Sequence, residues 1–85
     1  MELSHAIESL EAYAEYGQPT GSFLRAVLEN DLLESMARAD VGSRLILFDI
    51  CSHVYNELPS ECHGSPEKVV KWLNQKREER LKKED

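Results

Sequence analysis

The sequence predicts an all-α fold, a compact bundle of four to five helices. Apolar residues recur every three or four positions along most of the chain, which is the period of one helix face. Capping residues, glycine and proline stand at the ends of these periodic segments, where helices start and stop. Eighty-five residues with 41% apolar content are enough for one core. We therefore expect a single helical domain over residues 1–74, followed at 75–85 by a charged, partly frayed helix end.

The first predicted helix spans residues 3–16 and is amphipathic. Its glutamates fall on the face opposite the apolar one, as expected for a helix that buries one side. Gly17 supplies a C-terminal stop, and Pro19 cannot continue the helix. The two faces consist of Leu3, Ile7, Leu10 and Ala14 on the apolar side and Glu8, Glu11 and Glu15 on the acidic side.

The second helix is expected to be capped by Thr20 or Ser22, because either side chain can accept a hydrogen bond from a backbone N–H of the first turn. Apolar residues then keep the spacing of one helix face through residue 39, and this favours a single helix with a kink. Asn30 and Asp31 prefer caps and turns, so a break into two short helices is the alternative. The apolar phase consists of Leu24, Val27, Leu28, Leu32, Met36 and Ala39.

The third helix contains the most apolar part of the chain. Asp40 is expected as its N-cap. Residues 45–54 carry apolar side chains on nearly all sides, which is typical of a helix surrounded by others, so we expect the central element of the bundle here. The β-branched residues of this segment would also suit a strand. Asp49, Ser52 and His53 fall together on one helical flank, and this favours the helix.

The last helix follows a loop. Pro59 ends the third helix, and residues 58–64 form the loop. Ser65 as N-cap, Pro66 at the first helical position and Glu67 near the positive end of the helix dipole together predict the next start. The side chains expected to dock this helix on the core are Val69, Val70, Trp72 and Leu73.

The charge of the chain is unevenly distributed. Residues 1–65 carry eleven acidic and three basic side chains, whereas residues 66–85 carry seven basic and five acidic ones. The acidic body repels nucleic-acid phosphates, so we expect a protein partner with a basic surface and no direct nucleic-acid binding. The carboxylates expected to steer toward that partner are Glu8, Glu11, Glu15 and Asp31. The alternative is an ordinary solvated face. Its expected ion pairs, one helical turn apart, are Arg25–Glu29 and Glu34–Arg38.

Aromatic side chains supply the candidate anchors of such an interface, because they dominate the binding energy of many protein contacts. Tyr13 and Tyr16 lie among the glutamates of the first helix and are expected as a surface pair. Trp72, on the last helix, is the third candidate. Each of the three also fits the edge of the core.

The cysteines and histidines do not have the spacing of a zinc site. Cys51 and His53 lie two positions apart, where helical side chains diverge, and Cys62 and His63 are adjacent. We expect Cys51 as a core thiol, Cys62 as a loop thiol and both histidines at the surface. No catalytic motif or phosphate-binding glycine loop is present in the sequence, so we expect neither an enzyme nor a cofactor or metal.

The sequence also carries no signal for a membrane or for export. No apolar run approaches the roughly 20 residues needed to cross a bilayer. The first residues lack the basic start and apolar stretch of a secretory signal. We therefore expect a cytoplasmic protein without a membrane partner, and in that reducing compartment we expect free thiols rather than a disulfide.

A set of short segments stands out along residues 19–73. They are Pro19-Thr20-Gly21, Phe23-Leu24-Arg25-Ala26-Val27-Leu28, Asn30-Asp31-Leu32, Arg38-Ala39-Asp40, Tyr55-Asn56-Glu57-Leu58-Pro59, Gly64-Ser65-Pro66-Glu67-Lys68 and Trp72-Leu73. This combination resembles small helical proteins encoded in phage and prophage genomes, whose function is unassigned. Small acidic phage proteins commonly bind host proteins, so the resemblance implies a host protein as partner, such as a defence nuclease or the transcription machinery, in the bacterial cytoplasm.

Three functions are consistent with these observations. The leading hypothesis is a protein-binding module that inhibits or modulates a host protein. The second is a homo-oligomer that encloses a small ligand, such as a nucleotide signal, with Arg25, Arg38 and Arg44 as its phosphate contacts. The third is a structural subunit of a larger assembly. A homodimer also fits the sequence, since every helix could lend an apolar stripe to a neighbour.

Overall fold

The computed structural model describes residues 2–83, which form six α-helices and no strand. The all-α prediction is confirmed. The structure has more helices than the expected four to five because the helical path is interrupted at Asn30 and at Ile46. The apolar positions keep their helical spacing across both interruptions. The helices are α1 (Leu3–Tyr16), α2 (Ser22–Leu28), α3 (Leu32–Arg38), α4 (Val41–Leu45), α5 (Leu47–Glu57) and α6 (Pro66–Lys83), with a 3₁₀ turn at Ser60–Cys62 before α6.

Helix α1 has the predicted bounds and buries the side that faces the bundle. Ala6, Leu10 and Tyr13 are fully buried on that side. The helix ends at Gly17, whose φ of 71° is the left-handed conformation that glycine adopts without strain. The backbone N–H of Gly17 donates to the Tyr13 carbonyl at 2.9 Å. The predicted helix stop is therefore confirmed.

The second predicted helix is in fact two helices, so the expectation of one kinked helix is wrong. Asn30 takes a left-handed φ of 62°, and the Asp31 side chain then caps α3 by accepting a backbone N–H of its first turn at 3.1 Å. The expectation that the side chain of Thr20 or Ser22 caps α2 is also wrong. Gly21 occupies the N-cap position, and Ser22 is the first helical residue. Residues that favour turns outweigh the apolar phase here.

Helices α4 and α5 lie at the edge of the bundle. Asp40 caps α4 as predicted, accepting a backbone N–H of the first turn at 2.7 Å. The helical path is interrupted at Ile46 and then continues as α5. The expectation that residues 45–54 form the central buried element is wrong, since Leu45 is 81% exposed and Phe48 is 83% exposed. Only one side of α5 packs on the rest of the chain.

The start of α6 follows the predicted chemistry. The α5 helix ends at Glu57, before Pro59. Ser65 is the cap of α6, its Oγ accepting the backbone N–H of Lys68 at 3.2 Å, and Pro66 is the first helical residue. A proline at this position loses no hydrogen bond, because the first N–H groups of a helix have no partner within it.

Helix α6 docks through one side of its first half. Val69 is buried, and Trp72 and Leu73 pack partly buried against the core. Val70 is 45% exposed, so its expected docking contact is wrong. The described residues beyond 74 are mostly exposed, and residues 84–85 of the predicted frayed end lie outside the described part of the chain.

The loop before α6 closes the core. Cys62 is fully buried, and its carbonyl accepts the Tyr13 hydroxyl at 2.6 Å. The Trp72 indole N–H donates to the Tyr13 carbonyl at 3.2 Å, so Tyr13 connects α1, the loop and α6. The expected places of the two thiols are reversed, because Cys62 lies in the core and Cys51 is exposed. Both are free thiols, as predicted.

Candidate protein-interaction surfaces

The predicted glutamates of α1 are exposed and gain a fourth carboxylate from α5. Glu8, Glu11 and Glu15 all face away from the buried side of α1. Glu11, Glu15 and Glu57 line a hollow of about 310 Å³ where α1 meets the end of α5, and we call it the acidic hollow. Glu8 lies beside it, nearly one turn before Glu11. Sequence analysis missed Glu57, because its approach to α1 depends on tertiary packing.

The lining of the acidic hollow contains no Lys or Arg, whereas Lys76 and Arg80 line a neighbouring hollow together with Glu15. The Nε2 atom of His53 lies 3.5 Å from a carboxylate oxygen of Glu11, and the His53 side chain is only 14% exposed. Among the described residues, no Lys or Arg nitrogen lies within ion-pair distance of Glu8, Glu15 or Glu57. Neighbouring carboxylates repel one another, so the hollow favours an incoming ammonium or guanidinium group.

Asp31, the fourth predicted carboxylate, does not belong to this hollow. It caps α3 and lines a different, small hollow together with Leu32 and Cys51. Its oxygen is already engaged by a backbone N–H. The structure therefore separates Asp31 from the carboxylates of α1 with which the sequence grouped it.

The three predicted aromatic anchors occupy three different environments. Tyr13 is 1% exposed, so its expected place at the surface is wrong, and burial together with the nearby Cys62 raises its pKa. Tyr16 is 57% exposed and lies beside Glu15. Trp72 is partly buried, and the ammonium of Lys76 lies 4.9 Å from its ring centre. Of the three, only Tyr16 is both largely exposed and located at the acidic side of α1.

The arginines proposed as phosphate contacts are mostly engaged. Arg25 pairs with Glu29 at 3.0 Å and Arg38 pairs with Glu34 at 2.7 Å, which confirms both predicted ion pairs. Arg44 is exposed near the end of α4. A phosphate ligand would have to compete with the paired carboxylates for two of the three guanidinium groups. The ligand-binding oligomer stays a prediction.

The cysteines and histidines do not converge on a metal site. Within residues 2–83, no group of three His, Cys, Asp or Glu side chains has a geometry that could hold a metal ion. Partial desolvation by its neighbours raises the pKa of the exposed Cys51 thiol, and burial raises that of Cys62 to about 11. Thiols with raised pKa values remain protonated at neutral pH, and this makes them poor nucleophiles.

Sequence analysis also missed a group of exposed apolar side chains on α3, α4 and α5. Leu32 and Cys51 line one hollow, which connects α3 with α5. Cys51 also lines a groove of about 410 Å³ together with Tyr55 and His63. The large exposed side chains of this group, which we call the outer apolar face, are Leu32, Leu33, Met36, Val41, Leu45, Phe48 and Tyr55. The all-round apolar pattern of residues 45–54 was its signal in the sequence.

Comparison with protein-family models, with curated proteins and with solved structures finds no match for this chain. Over the described residues, none of the helices combines the length and the apolar content required to cross a bilayer. The two features of the molecule that could contact another protein are the acidic hollow and the outer apolar face.

Proposed function

We propose that this protein is a non-enzymatic protein-binding module whose acidic hollow docks on a basic surface of its partner. The observation that carries the proposal is the convergence of Glu11, Glu15 and Glu57 on one concave site whose lining contains no Lys or Arg. Three carboxylates that repel one another are stabilised when a partner supplies cations. A solvated face with internal ion pairs, like that of Arg25–Glu29, does not have this property.

The geometry indicates how such a partner is held. A lysine or arginine side chain of the partner enters the hollow between α1 and the end of α5, where it meets carboxylates from both elements. Tyr16 lies next to Glu15 and supplies an accessible aromatic contact at the rim. The formal net charge of −6 steers the encounter from a distance and raises the association rate.

The resemblance to phage-encoded proteins suggests the kind of partner and the compartment in which this module acts. The proposed partner is a host protein in the bacterial cytoplasm, and its basic surface is of the kind that defence nucleases and other nucleic-acid-handling factors use to bind phosphates. An acidic module that occupies such a surface inhibits or modulates the host protein by excluding nucleic acid from it.

A capture experiment with matched charge variants tests the proposal. The tagged protein is incubated with bacterial lysate at about 0.05 M and about 0.5 M ionic strength, because salt screens exposed charges. The test variant replaces Glu8, Glu11 and Glu15 with Gln. The control variant makes the same change in net charge at exposed glutamates elsewhere, namely Glu61, Glu67 and Glu78.

We expect a basic protein to be enriched at low salt by the wild type and by the control variant, and to be lost with the test variant. Release of that protein at high salt should accompany this result. Equal capture by the wild type and both variants would mean that the acidic hollow is only a solvated surface.

A further inference from the structure

A histidine that the proposed function does not use lies next to one carboxylate of the acidic hollow. His53 belongs to α5, and its Nε2 atom lies 3.5 Å from a carboxylate oxygen of Glu11 on α1. That nitrogen is buried and has no hydrogen-bond partner. The side chain of His53 is 14% exposed, whereas that of Glu11 is 62% exposed. Glu11, which also lines the hollow, therefore connects a buried imidazole to the open site.

Helix geometry explains how the two side chains meet. His53 follows the buried Ile50 by three positions and precedes the buried Val54, so it lies at the border of the packed side of α5. Glu11 follows the buried Leu10 on α1 and lies at the corresponding border of that helix. Helices α1 and α5 pack on each other. The contact is thus a tertiary one, between residues that are far apart in the sequence.

The other charged groups around His53 are mostly acidic. Within the described residues, the carboxylate of Glu11 is the one at ion-pair distance from the imidazole. Further carboxylates lie about one helical turn away on both helices. Helix α4, which also packs on α5, contributes one basic side chain, and it is exposed. These groups are Glu8 and Glu15 on α1, Asp49 and Glu57 on α5, and Arg44 on α4.

The charge of His53 determines what Glu11 can offer to a partner. Histidine is the side chain type whose charge ordinarily changes between pH 5 and 8. While the imidazole is neutral, the carboxylate of Glu11 is available to a cation that enters the hollow. A protonated imidazole carries an N–H on both nitrogens, so Nε2 can donate to that carboxylate in a charge-assisted contact. Its positive charge also repels an incoming ammonium or guanidinium group.

We propose that His53 is a pH-dependent regulator of the acidic hollow, which pairs with Glu11 when it takes up a proton and then weakens the binding of a cationic partner. The inference rests on the proposed function, because it concerns the same site. Binding is strongest near pH 8 and falls toward pH 5.5 as the imidazole becomes charged. Glu15 and Glu57 keep their carboxylates free, so the hollow loses part of its attraction for cations and not all of it.

Urea unfolding tests the pairing without any partner. The wild type and the variants Glu11→Gln, His53→Gln and the double variant are measured at about pH 8 and about pH 5.5, on either side of the histidine range. The ion pair exists only while the imidazole is protonated, so its contribution to stability is present at low pH and is lost as the pH rises. We expect Glu11→Gln to lower the urea midpoint by roughly 0.2–0.5 M at pH 5.5 and by much less at pH 8.

Replacing His53 should abolish this pH-dependent effect of Glu11→Gln. Circular dichroism verifies that each variant keeps its helix content. Glu11→Gln changes an exposed side chain, so this variant decides on the pairing even where His53→Gln does not fold. An equal effect of Glu11→Gln at both pH values would overturn the pairing and, with it, the regulator.

Titration calorimetry with a hexalysine peptide tests the effect on the hollow. The charge of this probe is constant over the range used, because lysine loses its proton only near pH 10. At about 0.05 M ionic strength, we expect the dissociation constant of the wild type to rise roughly threefold to tenfold from pH 8 to pH 5.5, as for one added positive charge nearby. The rise should be much smaller for His53→Gln. The control His5→Gln removes an exposed histidine of α1 and should behave like the wild type.

The outcomes separate the regulator from the proposed function. Hexalysine binding at pH 8 that is unchanged at pH 5.5 would overturn the regulator and leave the proposed function standing. An equal loss of affinity in the wild type and in His53→Gln would do the same, because net charge alone would then explain it. Absence of hexalysine binding at pH 8 would overturn the proposed function and the regulation together, whatever the unfolding experiment shows of the pairing.

Discussion

The hydrogen bond between Tyr13 and Cys62 connects the first helix to the loop that closes the core, and the Tyr13→Phe substitution tests it. The bond is 2.6 Å long, and the two residues are 1% and 0% exposed. Removing the hydroxyl leaves the buried carbonyl without this donor while the ring keeps its packing. Such a loss costs about 1–3 kcal/mol, and we expect a free energy of unfolding lower by about 2 kcal/mol. The midpoint of thermal unfolding should fall on the order of 10 °C.

The assay is urea unfolding followed by circular dichroism and by the fluorescence of Trp72, the single tryptophan. The matched control is Tyr16→Phe, which removes a hydroxyl from a tyrosine that is 57% exposed. That variant should stay within about 0.5 kcal/mol of the wild type. Equal stability of the wild type and the Tyr13→Phe variant would refute the importance of this contact.

The same hydrogen bond predicts how stability depends on alkaline pH. Burial, with a further contribution from Cys62, raises the pKa of Tyr13 above its ordinary value of 10.0. In the unfolded chain the hydroxyl ionises near pH 10, so above that pH the unfolded state binds fewer protons and the free energy of unfolding falls. The Tyr13→Phe variant lacks this contribution. The stability difference between the two proteins should therefore narrow as the pH rises from about 10 to about 11. A constant difference would contradict the raised pKa.

Two further predictions concern the helix stop and the thiols. The Gly17→Ala variant should lose about 2 kcal/mol or more of stability, because the positive φ strains any side chain and the added methyl group would clash with the side chain of Lys76. The Gly21→Ala variant has open space at its Cβ and should lose less, about 1 kcal/mol, because alanine is a poorer N-cap than glycine. Both would be compared by thermal unfolding, and equal losses would disprove the close packing at Gly17. A thiol reagent should modify Cys51 in the folded protein and Cys62 only upon unfolding, which a Cys51→Ser variant checks by losing the early reaction. Persistence of that reaction would assign the accessible thiol to Cys62 instead.

The parts of the fold that were predictable from sequence are those determined by local chemistry. Gly17 stops α1, Asp40 caps α4, and Ser65 with Pro66 starts α6 as expected. Each signal depends on a few neighbouring residues and the backbone groups beside them. Asn30 and Asp31 also indicated the break into two short helices. The apolar positions keep their helical spacing across the break, however, and this favoured the single helix that the structure does not show.

The errors concern packing between elements, which the sequence pattern does not encode directly. Tyr13 lies among glutamates in the sequence, yet it follows Leu10 by three positions and shares its buried face. Glu57 reaches the acidic hollow through packing between α1 and α5, more than forty positions along the chain from Glu15. The apolar pattern of residues 45–54 predicts a helix covered on all sides, whereas the structure buries Ile50 and Val54 and leaves Phe48 exposed.

The most direct test of the protein-binding account is the role of Glu57, because only the folded structure brings it to the acidic hollow. The association rate of the captured partner is measured with the Glu57→Gln variant and with the Glu61→Gln variant, whose exposed glutamate lies outside the hollow. The account predicts an association rate severalfold lower for Glu57→Gln and nearly unchanged for Glu61→Gln. Equal rates for the two variants would contradict it, because net charge alone would then determine binding.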